Sequence, residues 1–188
     1  CPMSNLVLGG SVALADITYG YAPLAAQGVR VVHASARGVD PVARTLALDD
    51  GATLGYDRLV LAPGIDFAFD AIPAFADPRV RDAFPHAWRA GPQTVALRRM
   101  LTSMRAGGVL AIAIPLAPFR CPPAPYERAR QAAAYFNKAN PRAKVLVLDA
   151  NDDVLSKKDL FKAAWSSLYA GMVEYRPNCT RTDIDPAS

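Results

Sequence analysis

The residues best placed to do chemistry lie in one short stretch. Residues 115–125 read Pro-Leu-Ala-Pro-Phe-Arg-Cys-Pro-Pro-Ala-Pro, five prolines with no glycine, between an apolar run at 109–114 and a helical pattern at 125–139. This places Cys121 at the carboxyl end of a strand, beside Arg120 and just ahead of a helix. A helix N-terminus and a neighbouring guanidinium both favour thiolate over thiol, the condition for a nucleophilic or redox cysteine. The competing assignment is a buried small hydrophobe, the commoner fate of a lone cysteine in such a sheet. Glu127 falls in the first turn of the helix, where it either caps backbone N–H groups or exchanges protons in the same crevice.

The same turn excludes a function. Dinucleotide-binding sheets put glycines in the first strand-to-helix turn so that the backbone can approach the pyrophosphate. Proline has no N–H to offer and its ring blocks the approach. The turn is therefore not expected to hold NAD(P).

Little else in the chain points to chemistry. Cys1, Cys121 and Cys179 have neither C-x-x-C nor zinc-finger spacing, and three cysteines are too few for a disulfide scaffold, so no metal site is expected. His33 and His86 each lack a second ligand at metal spacing and read as packing or surface residues. No G-x-S-x-G, H-E-x-x-H or P-loop motif occurs, which leaves hydrolase and NTPase chemistry without support.

The elements that must position Cys121 follow from the apolar pattern. Residues 109–114 and 144–149 are apolar strands and 125–139 the helix between them, a βαβ crossover of parallel strands expected to be right-handed and covered by helices on both faces. Residues 93–105 form a preceding helix stopped by Gly107 and Gly108. Upstream, 19–27 predicts a short helix ended by Gly28, and 29–34 a strand. Residues 44–48 and 52–54 make a hairpin about Asp49-Asp50-Gly51, and 56–62 a buried strand. Residues 65–92 read as proline-punctuated loop. The fold class is α/β, a Rossmann-like parallel sheet joined to part of a second domain carrying a β-hairpin, divided as 1–90 and 91–188.

With 52% hydrophobic and 20% charged residues in 188, the chain can bury a substantial core. Its net charge of +4 is scattered, with no basic run longer than a pair, so nucleic-acid binding is not expected. The longest uncharged stretches, 1–15 and 106–119, fall short of the roughly 20 apolar residues of a spanning helix.

Several motifs together resemble the flavoprotein subunit of flavocytochrome c sulfide dehydrogenase. They are Cys-Pro-Met-Ser-Asn-Leu-Val-Leu-Gly-Gly (1–10), Val-Val-His-Ala-Ser-Ala (31–36), Gly-Tyr-Asp-Arg-Leu-Val-Leu-Ala-Pro-Gly (55–64) and Pro-His-Ala-Trp-Arg-Ala-Gly (85–91). The most specific is Phe-Arg-Cys-Pro-Pro-Ala-Pro-Tyr-Glu-Arg-Ala (119–129), because a proline cage around a cysteine is rare among glutathione-reductase-like flavoenzymes. The resemblance runs in order over about residues 1–177. It implies a periplasmic enzyme that oxidises sulfide at FAD and passes electrons to a c-type cytochrome subunit. By similarity, Cys1 matches the cysteine that tethers the flavin through a thioether, Cys121 one half of a redox-active disulfide, and Glu127 the acid that moves protons there. Ala36, Pro63 and Gly64 fall where such folds pass close to the cofactor.

The chain departs from that pattern in having no G-x-G-x-x-G and no match for the second disulfide cysteine, since Cys179 lies in a polar tail. The 188 residues read as an internal fragment, or a truncated relative, of a protein about twice as long, binding FAD weakly or not at all when isolated. Two other readings compete. A sulfide:quinone oxidoreductase relative would carry an amphipathic carboxyl-terminal segment, and a non-catalytic lipoprotein-type binding domain would carry diacylglycerol on Cys1.

Overall fold

The structure is a computed structural model that describes residues 3–86, 88–180 and 183–185. It divides into two compact units, one formed by Cys1–Thr18 with Ala68–Ser188 and the other by Tyr19–Phe67.

The larger unit opens with helix α1, Ser4–Gly9. Its glycines end the apolar run. Gly10 adopts φ +83°, its N–H returns to the carbonyl of Val7, and Ser11 N–H reaches Leu6 O at 2.8 Å.

The smaller unit contains α2, Ala22–Ala26, followed by strands β1 (Ala36–Asp40), β2 (Thr45–Leu48) and β3 (Thr53–Gly55). They form an antiparallel sheet in that order. The hairpin about Asp49-Asp50-Gly51 is present, with Gly51 at φ +85°. The expected strands at 29–34 and 56–62 are not; both segments are irregular. The carboxylate of Asp40 accepts the N–H of Val42 and Ala43, a turn that folds 36–40 onto β2. With 53–55 on the other side of β2, the sheet stops at three strands, and neither flanking apolar run pairs with the outer side of β1 or β3. Val60 is accordingly 88% exposed rather than buried.

Residues 68–91 hold two 3-10 turns and a short helix α3, Pro78–Ala83, which the loop expectation missed. Its cap is Asp77, whose carboxylate accepts the N–H of Arg79 at 2.8 Å. Helix α4 (Pro92–Ser103) leads to strand β4 (Val109–Ile114), helix α5 (Ala124–Ala139) and strand β5 (Lys144–Asp149), as the apolar pattern predicts. Helix α6 (Lys158–Ser167) and strand β6 (Val173–Arg176) complete a parallel sheet in the order β4-β5-β6.

The core lies on one face of this sheet. Ile114, Val145 and Val147 are fully covered by Tyr126, Ala129, Ala132, Ala133 and Phe136, the inward stripe of α5 at helical spacing. Phe161 and Trp165 of α6 close the other flank against the Tyr126 ring. Helix α1 lies against α4 and α5, and Arg98 of α4 donates to Leu8 O at 3.2 Å while covering the Tyr135 ring. The opposite face is not helix-covered among the described residues. Val109, Ala111 and Ala113 are exposed, so β4 alternates instead of being buried on both sides.

Candidate active site at the carboxyl end of the parallel sheet

The turn from β4 to α5 is a fixed platform. Asn151, buried just past β5, donates from Nδ2 to Pro115 O at 3.0 Å and accepts the Ala117 N–H on Oδ1 at 2.9 Å. Its Nδ2 also donates to Asp149 Oδ1 at 2.7 Å. Asp149 is fully buried, and its other oxygen accepts the hydroxyls of Tyr126 at 2.7 Å and Tyr175 at 3.0 Å. Burial is the main reason both phenols titrate well above their ordinary value, with the Asp149 carboxylate adding to it. The end of β5 is thus an internal clasp that holds the start of the 115–123 turn. Neither Asp149 nor Asn151 has a motif signature.

Cys121 sits on this platform, exposed, at φ +58°. A non-glycine residue in that region is strained by about 1 kcal/mol or more. Two things hold it there: Pro122 and Pro123 fix the chain that follows, and its carbonyl accepts the Ala124 N–H at 3.0 Å. The helix end behind it is already committed. The Glu127 N–H bonds Pro123 O at 3.0 Å, and Pro125 has no N–H to give.

Glu127 does not cap α5. Its half-buried carboxylate accepts a 3.1 Å hydrogen bond from Nδ2 of Asn5 on α1, a residue 122 positions away. Asn5 is itself buried and its Oδ1 has no partner among the described residues, so the amide serves the carboxylate alone. Arg128 is only 7% exposed, although arginine is seldom buried. Its guanidinium lies over the ring of Trp88, 5.7 Å from the centroid, and Trp88 meets the Phe119 ring edge-on at 5.6 Å. Trp88 is thereby packed against the cysteine turn. Half-buried His86 accepts the Trp88 N–H on Nδ1. Burial, then the charges of Arg89 and Arg128, hold its pKa below the usual histidine value.

Of the residues proposed from sequence, the structure brings Cys121 and Glu127 to the start of one helix. Ala36, Pro63 and Gly64 lie in the smaller unit, Ala36 paired with Leu48 at the end of β1 and Gly64 at φ +79°. Cys1 lies outside the described residues. His33 is in irregular chain rather than a strand, its ring 5.6 Å from that of Tyr21. Cys179 donates its N–H to Asp149 O at 2.7 Å, at the same end of the sheet. Sequence reasoning missed Asn5, Trp88, Arg128, Asp149 and Asn151. Asn5 and Trp88 do fall inside motifs quoted above, and Arg128 precedes Ala132 by one turn on the inward stripe of α5.

Residues 94–188, half of the chain and including this whole turn, match the family model described as sulfide dehydrogenase (flavocytochrome c) flavoprotein chain, central. The chain belongs to this family. Three solved structures share the fold of this sulfide dehydrogenase flavoprotein relative. Sulfide:quinone oxidoreductase from the hyperthermophilic bacterium Aquifex aeolicus is 18% identical with a TM-score of 0.68, covering 98% of this chain and 43% of that one. Putidaredoxin reductase, in its covalent complex with putidaredoxin, is 26% identical with a TM-score of 0.63, covering 94% and 40%. A ferredoxin reductase from Rhodopseudomonas palustris is 16% identical with a TM-score of 0.64, covering 98% and 42%. The chain therefore spans about two fifths of the length of these structures.

Proposed function

We propose that this chain is the central part of a flavoprotein that oxidises sulfide at FAD and passes the electrons to a c-type cytochrome in the periplasm. In this reading residues 1–90 belong to an FAD-binding domain and 91–188 to a dinucleotide-type domain that has lost NAD. The observation that carries it is an exposed Cys121 on a rigid proline turn, with Glu127 in the adjoining helical turn, inside the segment that matches the family.

The residues present fit the reacting edge of a flavin: an accessible thiol, an amide-held carboxylate and a buried guanidinium share one helix end. They do not fit a pyrophosphate, because the turn has prolines where N–H donors are needed. FAD, when bound, supplies the two-electron acceptor. Cys1 would carry its thioether, and Ala36, Pro63 and Gly64 would pass close to it. Hydrosulfide attacks Cys121 Sγ while that sulfur is in a disulfide with a second cysteine; that S–S bond breaks, a persulfide forms on Cys121, and the other cysteine leaves as thiolate with the electron pair. Glu127 takes the proton of the attacking sulfide, with Asn5 fixing the carboxylate that receives it.

The test uses the full-length protein under argon. Sulfide should bleach the flavin and reduce an added c-type cytochrome, and Cys121→Ser should abolish both. Bleaching that survives in Cys121→Ser overturns the role of the cysteine, and reduction of a quinone in place of the cytochrome overturns the acceptor.

A further inference from the structure

Helix α1 is six residues long, too short to hold its place by its own hydrogen bonds. Yet it carries Asn5, whose Nδ2 donates to Glu127 at 3.1 Å, and a slip of one residue along the helix, about 1.5 Å, would break that bond. Contacts along one face of α5 prevent the slip. Glu127, Gln131 and Tyr135 stand there at four-residue steps. Gly9, one turn beyond Asn5, meets Gln131: a Cβ on Gly9 would lie 2.8 Å from Gln131 Oε1, so the missing side chain is what lets α5 approach. At the end of α1, the guanidinium of Arg98 from α4 fills the space beside Gly10, and a Cβ on Gly10 would run into it. Gly10 and Ser11 donate their N–H groups to Val7 O and Leu6 O, while Arg98 Nη1 serves Leu8 O at 3.2 Å, another of the carbonyls a helix end leaves without a partner. The same half-buried guanidinium lies over the Tyr135 ring, 4.3 Å from its centroid. One side chain thus grips the end of α1 and the flank of α5 together.

We propose that Arg98 is a positioning residue for Glu127: by pinning the end of α1 to the face of α5 that bears Glu127, it keeps the Asn5 amide on the carboxylate that receives the proton. The assignment rests on the reading of Glu127 as the proton-handling group and deepens it. The Arg98 guanidinium is occupied by Leu8 O and Tyr135, so its effect on Glu127 passes through α1. Asn5 has no other polar anchor. Its Oδ1 is buried without a partner among the described residues, and the amide is fixed only by Glu127 and by the helix that carries it. Proton transfer requires the carboxylate within hydrogen-bond reach, and a misplacement of about 1 Å costs on the order of a hundredfold in rate. Val7 and Leu8 are buried and retain α1 when the brace is removed, so losing Arg98 should cost about tenfold rather than the whole effect.

The test uses the full-length flavoprotein and has two arms. The first needs no sulfide: hydrogen exchange of the Asn5 side-chain amide is followed by NMR, the signal being assigned by its loss in Asn5→Leu. The amide should be protected in the wild type and should exchange about tenfold faster or more in Arg98→Met. A wild-type amide that exchanges at the open rate overturns the proposal even if Arg98→Met fails to fold, and so does protection that survives in Arg98→Met. The second arm is the limiting rate of flavin reduction at saturating sulfide. Arg98→Met and Asn5→Leu should each slow it about tenfold with the half-saturating sulfide concentration unchanged, and Arg98→Lys, which still donates to Leu8 O, should recover most of the rate. In the Asn5→Leu background Arg98→Met should cost nothing more. A further tenfold loss there means that Arg98 acts by its charge or on stability, and overturns the proposal. So does a wild-type rate in Arg98→Met when Glu127→Gln is slow. If Glu127→Gln itself reduces flavin at the wild-type rate while Asn5 protection still depends on Arg98, the proton-handling role of Glu127 fails and the brace stands.

Discussion

Replacing Asn151 tests the clasp that aims the cysteine turn. The side chain makes three hydrogen bonds, with Pro115 O, Ala117 N and Asp149 Oδ1, and it is 4% exposed. A neutral bond contributes about 1 kcal/mol net and one to a carboxylate about 1.5–2, so Asn151→Ala should lose about 3–4 kcal/mol. Asn151→Asp keeps the shape and the acceptor for Ala117 N–H, yet should do worse. It sets a second carboxylate where an amide now lies 2.7 Å from Asp149 Oδ1. Two buried carboxylates at that separation cannot both ionise, so the folded state must hold a proton near pH 7 that an ordinary aspartate would have released near 3.9. That gap of about three pH units costs about 4 kcal/mol beyond the lost amide bonds. The folded pKa is raised, so the penalty is absent below about pH 4 and grows as pH rises towards the folded value. Urea unfolding followed by tryptophan fluorescence at pH 4 and pH 7 reads both effects. The Asp variant should lie below the Ala variant at pH 7 and recover at pH 4. Wild-type stability of Asn151→Asp at pH 7 would refute the clasp.

Asn5→Leu should change stability by less than about 1 kcal/mol, because the lost bond to Glu127 is offset by removing a buried oxygen that has no partner; the pH profile of sulfide-dependent flavin reduction should nevertheless shift, and an unchanged profile would mean Asn5 does not set Glu127. His86 has a folded pKa below its ordinary 6.5, so the unfolded state binds more protons as the pH falls below 6.5 and stability declines there while staying flat above. His86→Gln should flatten that acid limb in pH-dependent unfolding, and an identical limb would place its origin elsewhere. Phe136→Ala, which empties a fully buried site beneath α5, should cost about 3–5 kcal/mol in the same assay; a loss under 1 would mean that the α5 face is not the core.

The β4–α5–β5 unit was legible because continuous apolar strands, a helical stripe and glycine or proline punctuation coincide there. Residues 29–34 and 56–62 were misread for a reason local propensity cannot supply. A β-prone run becomes a strand only where it pairs; both sides of β2 are taken by 36–40, which contains Gly38 and Asp40, and by 53–55, and neither run pairs with the outer side of β1 or β3. Helix α6 carries a readable stripe in Phe161 and Trp165 that went unassigned. At the site, Cys121 and Glu127 were found from the turn that bears them. Asn5 could not be, since no spacing rule links residues 122 apart. Arg128 was hidden by its type, because charge argues for solvent while its place one turn before Ala132 argues for the core, and the packing of Trp88 decided the matter.

The central claim is that sulfur chemistry takes place on Cys121, and the mass of one peptide tests it most directly. The full-length oxidised protein is mixed with sulfide under argon, quenched within its first turnover with an alkylating agent, and digested. The account predicts that the Cys121 peptide carries one additional sulfur atom beneath the alkyl group. A Cys121 peptide that never gains sulfur, in a protein whose flavin is nonetheless reduced by sulfide, would contradict it.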